Sequence, residues 1–248
     1  MSVWNPNQYE RFKAERAQPF FDLLALVEPR PSMRVVDLGC GTGEWTRVLH
    51  DRLNAAETIG ADNSESMLAK SGAFAGDGLR FELQTIESFA SDRPFDLVFS
   101  NAAVHWVEDH PSLFAKLAQL VAPNGQLAIQ MPANHDHPSH TVAAELAPQF
   151  GVAPRVSPVL APERYAQILH RLGFSKQTVR LQVYGHVLDS ARDVIEWVKG
   201  TTLTDYEKRL GDRYAEFLAA YTERLLSVLT DEKPYFFPFK RILMWAVR

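Results

Sequence analysis

The segment Val35-Val36-Asp37-Leu38-Gly39-Cys40-Gly41-Thr42-Gly43 constrains this chain more than any other. An apolar run leads into three alternate glycines, and a stretch with helical spacing, Glu44 to Leu53, follows. Strand, tight turn and helix in that order open a βαβ unit. Glycine supplies backbone angles that other residues avoid and lets a ligand approach the main chain. The first turn of the next helix offers amides with no partner inside the helix. A dinucleotide phosphate could use such a turn, but three details shift the balance. Glu44 and Trp45 leave no glycine at the third position of a dinucleotide fingerprint. Asp37, two residues before Gly39, and Glu44 make the loop acidic, which suits an ammonium and a sulfonium better than a pyrophosphate. Asp62 ends the second strand, where a carboxylate can accept both hydroxyl protons of a ribose. As a cap for the helix opening at Asn63-Ser64, the same Asp62 would serve structure alone.

The rest of the chain extends the alternation. Residues from Gln8 to Val27 read as a helix, broken by Pro29 and Pro31. Strands are predicted at Arg34–Leu38, Thr58–Asp62, Leu79–Leu83, Phe95–Ser100 and Gln126–Met131. Helices are predicted at Glu44–Leu53, Ser64–Lys70 and Pro111–Val121. This α/β alternation implies a parallel sheet with helices on both faces, and ligands bind beyond the carboxyl ends of its strands. After Met131 prolines punctuate the pattern. A helix Glu163–Leu172, a strand Thr178–Leu188, helices near Ala191–Lys199 and Asp205–Leu229, and a strand Phe239–Val247 complete the reading. The last two helices are taken as a cap inserted between the last two strands. The predicted organisation is an N-terminal helical segment (1–30) over the site, a core (31–190 with 230–248) and the cap (191–229).

Composition excludes some functions. A net charge of -4 with both signs interspersed argues against nucleic acid and anionic membrane as partners. The single cysteine, Cys40, cannot form an intrachain disulfide. No signal-like or membrane-spanning apolar run is present in the sequence. A cytoplasmic monomer is expected. His135, His137 and His140 have loose spacing interrupted by Pro138, so they read as a solvated loop and no metal is expected.

The glycine loop, Gly60-Ala61-Asp62-Asn63-Ser64 and Phe95-Asp96-Leu97-Val98-Phe99-Ser100-Asn101 resemble the cofactor segments of class I S-adenosylmethionine-dependent methyltransferases. Trp4-Asn5-Pro6, Tyr9, Phe12, Ala14-Glu15-Arg16, Trp106, Asp109-His110, Gln130-Met131-Pro132, Trp197-Val198 and the end Phe237 to Arg248 are similar to bacterial trans-aconitate methyltransferases. The resemblance implies a doubly wound, mostly parallel, seven-stranded Rossmann-like sheet with a helical cap in the C-terminal part, and S-adenosylmethionine as cofactor. It implies that Gly39, Gly41 and Gly43 contact the methionine part, with Asp37 and Cys40 also binding the cofactor. Asp62 would hold the ribose, with Met67 or Asn63 near the adenine. Asn101, with Ala102, would offer its backbone to the cofactor ammonium, and Arg16 would reach the carboxylate; Trp106 is placed in the same site. Two departures stand out: Thr85, beside Ile86, replaces a carboxylate that often grips the adenine amine, and His105 stands where glutamine is expected.

A carboxylic acid is ionised at neutral pH and needs no general base to accept a methyl group. The expected reaction is therefore O-methylation of a small polycarboxylic acid, trans-aconitate above others. Candidate substrate residues are Trp4, Tyr9, His105, Lys199, Lys240 and Arg241. The alternative is N- or C-methylation of another small metabolite, with His105 as the catalytic base. A nicotinamide dehydrogenase and a non-catalytic cofactor-binding regulator are the readings from other classes.

Overall fold

The computed structural model describes residues 17–248. Trp4, Tyr9 and Arg16 lie outside the described residues. Seven strands form one sheet in the order β3-β2-β1-β4-β5-β7-β6: β1 Arg34–Leu38, β2 Glu57–Asp62, β3 Leu79–Leu83, β4 Phe95–Asn101, β5 Val121–Pro132, β6 Lys176–Leu188 and β7 Tyr235–Val247. The pairs β1–β2, β1–β4, β2–β3 and β4–β5 are parallel, and β5–β7 is antiparallel. This is the doubly wound α/β sheet expected from the sequence. Burial on both faces explains why Val35, Val36, Leu38, Leu97, Val98 and Phe99 run almost without polar interruption.

The described residues divide into two compact units. The first holds residues up to Pro132, Pro158–Gln182 and Arg241–Arg248. Its helices are α1 (17–24), α2 Glu44–Leu53, α3 Glu65–Leu68, α4 His110–Leu120 and α6 Pro162–Arg171. The chain winds from β1 outward through β2 to β3, then returns to the other side of β1 as β4. That reversal puts the switch point of the sheet, the place where ligands of such folds bind, at the carboxyl ends of β1 and β4, and the crevice is this place. Gln126, fully buried on β5, accepts from the Glu28 amide and the Trp245 indole and donates to the Glu28 carbonyl. It thereby fastens the segment after α1 to the sheet.

The second unit holds Ala133–Ser157 and Val183–Lys240. It contains α5 Pro138–Leu146, α7 Asp193–Lys199, α8 Thr202–Leu210 and α9 Tyr214–Val228. It includes the predicted cap segment, 191–229, and also takes in residues 133–157, 183–190 and 230–240, which the sequence pattern assigns to the core. Two expectations are corrected here. The long helix Asp205–Leu229 is two helices, parted at Gly211, whose φ of 53° and ψ of -124° no α-helix accommodates. The expected solvated loop holds for His135, an exposed turn residue, whereas His137 and His140 belong to the start of α5. His137 caps that helix by accepting the Ser139 amide, with Pro138 in its first turn.

His140 bonds Ser139 Oγ through Nδ1 (3.1 Å) and Thr202 Oγ1 through Nε2 (2.9 Å). Burial, foremost, holds both His137 and His140 down to about pKa 4 from 6.5. The unfolded chain takes up protons on them below about pH 6.5, while the folded chain resists until about pH 4. Their stabilisation is thus complete above pH 6.5 and is lost as pH falls towards 4, roughly 1–3 kcal/mol for each group. Urea midpoints should drop between pH 7.5 and 5, and His140→Gln should flatten that slope. An unchanged slope in the variant would contradict the assignment.

Candidate active site

The glycine loop is held by its own acceptors. The Gly39 and Cys40 amides donate to the Ala61 carbonyl (2.7 and 3.1 Å), and the Gly43 amide donates to Cys40 (3.1 Å). The Gly41 amide donates to Asp62 Oδ2 at 2.8 Å, while Asp62 Oδ1 accepts the Ser64 amide at 2.9 Å. Asp62 therefore welds the turn after β1 to the turn after β2. Each carboxylate oxygen keeps a lone pair for a further donor.

The three glycines serve different ends, and all have positive φ. A Cβ on Gly39 would lie 2.1 Å from the Cβ of Ala103 and 3.7 Å from Cδ1 of Ile86, so its bareness lets the β1 and β4 turns meet. A Cβ on Gly43 would strike the Phe81 ring at 2.6 Å, so this glycine seats α2 against β3. Around Gly41 a Cβ would meet nothing within 4 Å: this glycine faces open space.

Asp37 is buried beneath the loop, and Thr46 donates to its Oδ2 at 2.6 Å. Burial, only partly offset by the Thr46 bond and reinforced by the nearby Asp62 charge, pushes its carboxyl up to about 7. With one oxygen taken by Thr46 and almost no exposure, it carries its negative charge only part of the time near neutral pH. Cys40 is buried too, and burial with the Asp37 charge drives its thiol far up, leaving it protonated. Asn63 and Met67 are exposed beside Asp62. Thr85 caps the turn after β3, accepting the Ser88 amide at 3.0 Å and donating to Ser88 Oγ at 2.9 Å. Its hydroxyl closes a local turn at the position where the sequence departs from the expected carboxylate.

On the other side of the crevice, Asn101 ends β4 and Ala102 turns left-handed with a φ of 56°. His105 and Trp106 follow in a single 3-10 turn, Val104–Trp106, with ring centroids 4.8 Å apart. Trp106 is 55% exposed, a large apolar side chain left open to solvent. Arg241, 7% exposed on β7, donates from Nη1 to Gln130 Oε1 at 3.1 Å. Gln130 Nε2 in turn donates to Asn101 Oδ1 at 2.6 Å. Gln130 was not among the predicted site residues, although the pairing of β4 with β5 puts it directly opposite Asn101. The signal was a glutamine interrupting the apolar run from Leu127 to Met131 of β5. The other two predicted substrate cations lie in the second unit, and both are engaged: Lys199 with Glu196 and Lys240 with Asp136.

Residues 9–179 match a family model described as a methyltransferase domain. The chain belongs to this methyltransferase family. It is 44% identical to a trans-aconitate 2-methyltransferase of Deinococcus radiodurans, over 99% of this chain and 98% of that one. It is 39% identical to a protein of the same name from Variovorax paradoxus, over 94% of each. Among solved structures, the YcgJ protein of Bacillus subtilis superposes with a TM-score of 0.64 at 18% identity, covering 94% of this chain and 98% of that chain. A S-adenosylmethionine-dependent methyltransferase from Mesorhizobium loti gives 0.53 at 22% identity, over 92% and 96%. These two likenesses establish the methyltransferase fold.

Proposed function

We propose that the chain transfers a methyl group from S-adenosylmethionine to a carboxylate oxygen of a small polycarboxylic acid, trans-aconitate being the acid that its named relatives indicate. The observation that carries the cofactor reading is the bond between the Gly41 amide and Asp62. Four amides of the turn (those of Gly39, Cys40, Gly41 and Gly43) are spent on internal acceptors, one of them a carboxylate, and a second carboxylate lies beneath. A pyrophosphate would find few donors there and the like charge of Asp62. The open space over Gly41 and the acidic lining fit a cationic group.

When bound, S-adenosylmethionine supplies a methyl group on a positively charged sulfur, already a good leaving group. In the proposed site Asp62 accepts the ribose hydroxyls while still holding Gly41 and Ser64. Asn63 and Met67 flank the adenine, and Ile86 packs beside the loop. Trp106 covers apolar surface and excludes water. The acid presents an ionised oxygen, so the new O–C bond forms as the C–S bond breaks. The electron pair leaves with sulfur, and no proton needs to move. The protein's task is alignment. Arg241 is the guanidinium within the first unit that suits a second carboxylate of the acid.

A panel of di- and tricarboxylic acids assayed with labelled cofactor tests this reading. Turnover of trans-aconitate to a methyl ester is expected, and its absence would defeat the substrate assignment. His105→Gln should keep kcat/KM within about 3-fold, since an ionised acid needs no base, whereas removing a general base costs about 100-fold or more.

A further inference from the structure

The three hydrogen-bonded side chains Arg241, Gln130 and Asn101 have a fixed polarity. Arginine only donates, so the Gln130 amide must turn its Oε1 to Arg241, and it does at 3.1 Å. That places Gln130 Nε2, a donor, against Asn101 at 2.6 Å, so Asn101 must accept through Oδ1. Amide orientation is ordinarily ambiguous, but a donor-only group at one end resolves the whole row. Gln130 is 1% exposed and also holds the next residue of the turn: its carbonyl accepts the Ala102 amide at 2.8 Å. The remaining polar group of the row is the Asn101 Nδ2 amine. It sits at the carboxyl end of β4 in a partly exposed residue, with no partner among the described residues.

We infer that the Arg241–Gln130–Asn101 row fixes the Asn101 side chain as a hydrogen-bond donor in the crevice, where it selects a carboxylate oxygen. The inference rests on the cofactor site proposed above and adds a role for the Asn101 side chain, which an ammonium could not use. Gln130 is the positioning residue. The carboxylate can come from the methionine end of the cofactor or from the acid substrate, and one set of variants separates the two.

Asn101→Asp keeps the shape and still accepts from Gln130, but turns an oxygen to the crevice. Losing a bond to a charged partner, and gaining a like charge, should weaken that partner by about 10- to 100-fold. If the cofactor is the source, its Kd rises by that factor while the Kd of decarboxylated S-adenosylmethionine stays within about 2-fold. If the acid is the source, its KM rises while the cofactor Kd holds. Gln130→Leu frees the Asn101 amide to rotate and should give a smaller loss with the same ligand preference. Variants that leave both ligands unaffected, or weaken both forms of the cofactor equally, would overturn the inference. In protein labelled with 15N-asparagine, the Asn101 amine protons should exchange quickly with water. Slow exchange in the unliganded protein would mean the reverse orientation and would also overturn it. A chain that binds neither form of the cofactor and methylates no acid would end the reading of the site, and the amide exchange would still decide the polarity of the row.

Discussion

Gly39→Val and Gly41→Ala should fail in different ways, the first by losing the fold around the crevice and the second by losing the cofactor. At Gly39 a Cβ would sit 2.1 Å from the Ala103 Cβ, against the 3.5–4.0 Å of a comfortable carbon contact. Neither backbone can retreat freely, because the Gly39 amide is tied to Ala61 and the Ala102 amide to Gln130. A branched side chain at a φ of 80° adds a left-handed penalty of about 1–2 kcal/mol. We expect a loss of more than about 4 kcal/mol, among the largest that a single substitution produces. Thermal unfolding should show a marked fall in Tm or no folded protein. Gly41 carries the same backbone penalty at a φ of 57°, but its Cβ would enter open space. Gly41→Ala should therefore lower Tm by only a few degrees, about 1–2 kcal/mol, while calorimetry shows cofactor affinity reduced by at least about 30-fold. A variant that binds the cofactor as tightly as the parent would mean that the cofactor does not lie over Gly41.

The parts of this site that the sequence made legible are those whose geometry is local. Asp37 to Gly43 spans one strand end and one turn, and β1 and β4 stand out in the sequence because each buries a short, largely apolar run. The Arg241–Gln130–Asn101 row was invisible for the opposite reason: Gln130 and Arg241 are 111 residues apart, and only the antiparallel pairing of β5 with β7 brings them together. Periodicity misled at Gly211. Tyr206, Leu210, Tyr214, Phe217, Tyr221 and Leu225 keep helical spacing in the sequence across the break, where a single 3-10 turn, Gly211–Arg213, parts α8 from α9. The same spacing fits one helix or two. The histidines misled because the cap of α5 is His137 itself, bonding Ser139, and histidine is not among the usual capping residues. Burial by the rest of the second unit, not local sequence, makes His140 a structural hydrogen-bonder.

Asp62→Ala should give the greatest loss of cofactor affinity that any single side chain of the described site can cause, because two functions meet in one carboxylate. The first is structural. Oδ2 holds the Gly41 amide and Oδ1 the Ser64 amide, each a charge-assisted bond contributing about 1.5–3 kcal/mol. Without them the loop after β1 loses its reference to the turn after β2, and the open face of Gly41 is no longer held in one place. The second is the proposed grip on the ribose, which adds one or two bonds to the same charged group. Together these predict a Kd raised by at least about 100-fold. Comparing the cofactor with its 2′,3′-dideoxy analogue separates the two functions. If the carboxylate accepts hydroxyl protons, the substitution weakens the natural cofactor far more than the analogue, which has no such protons to give. Equal weakening of both would leave Asp62 an anchor of the loop and nothing more, and the ribose would then have to be held elsewhere.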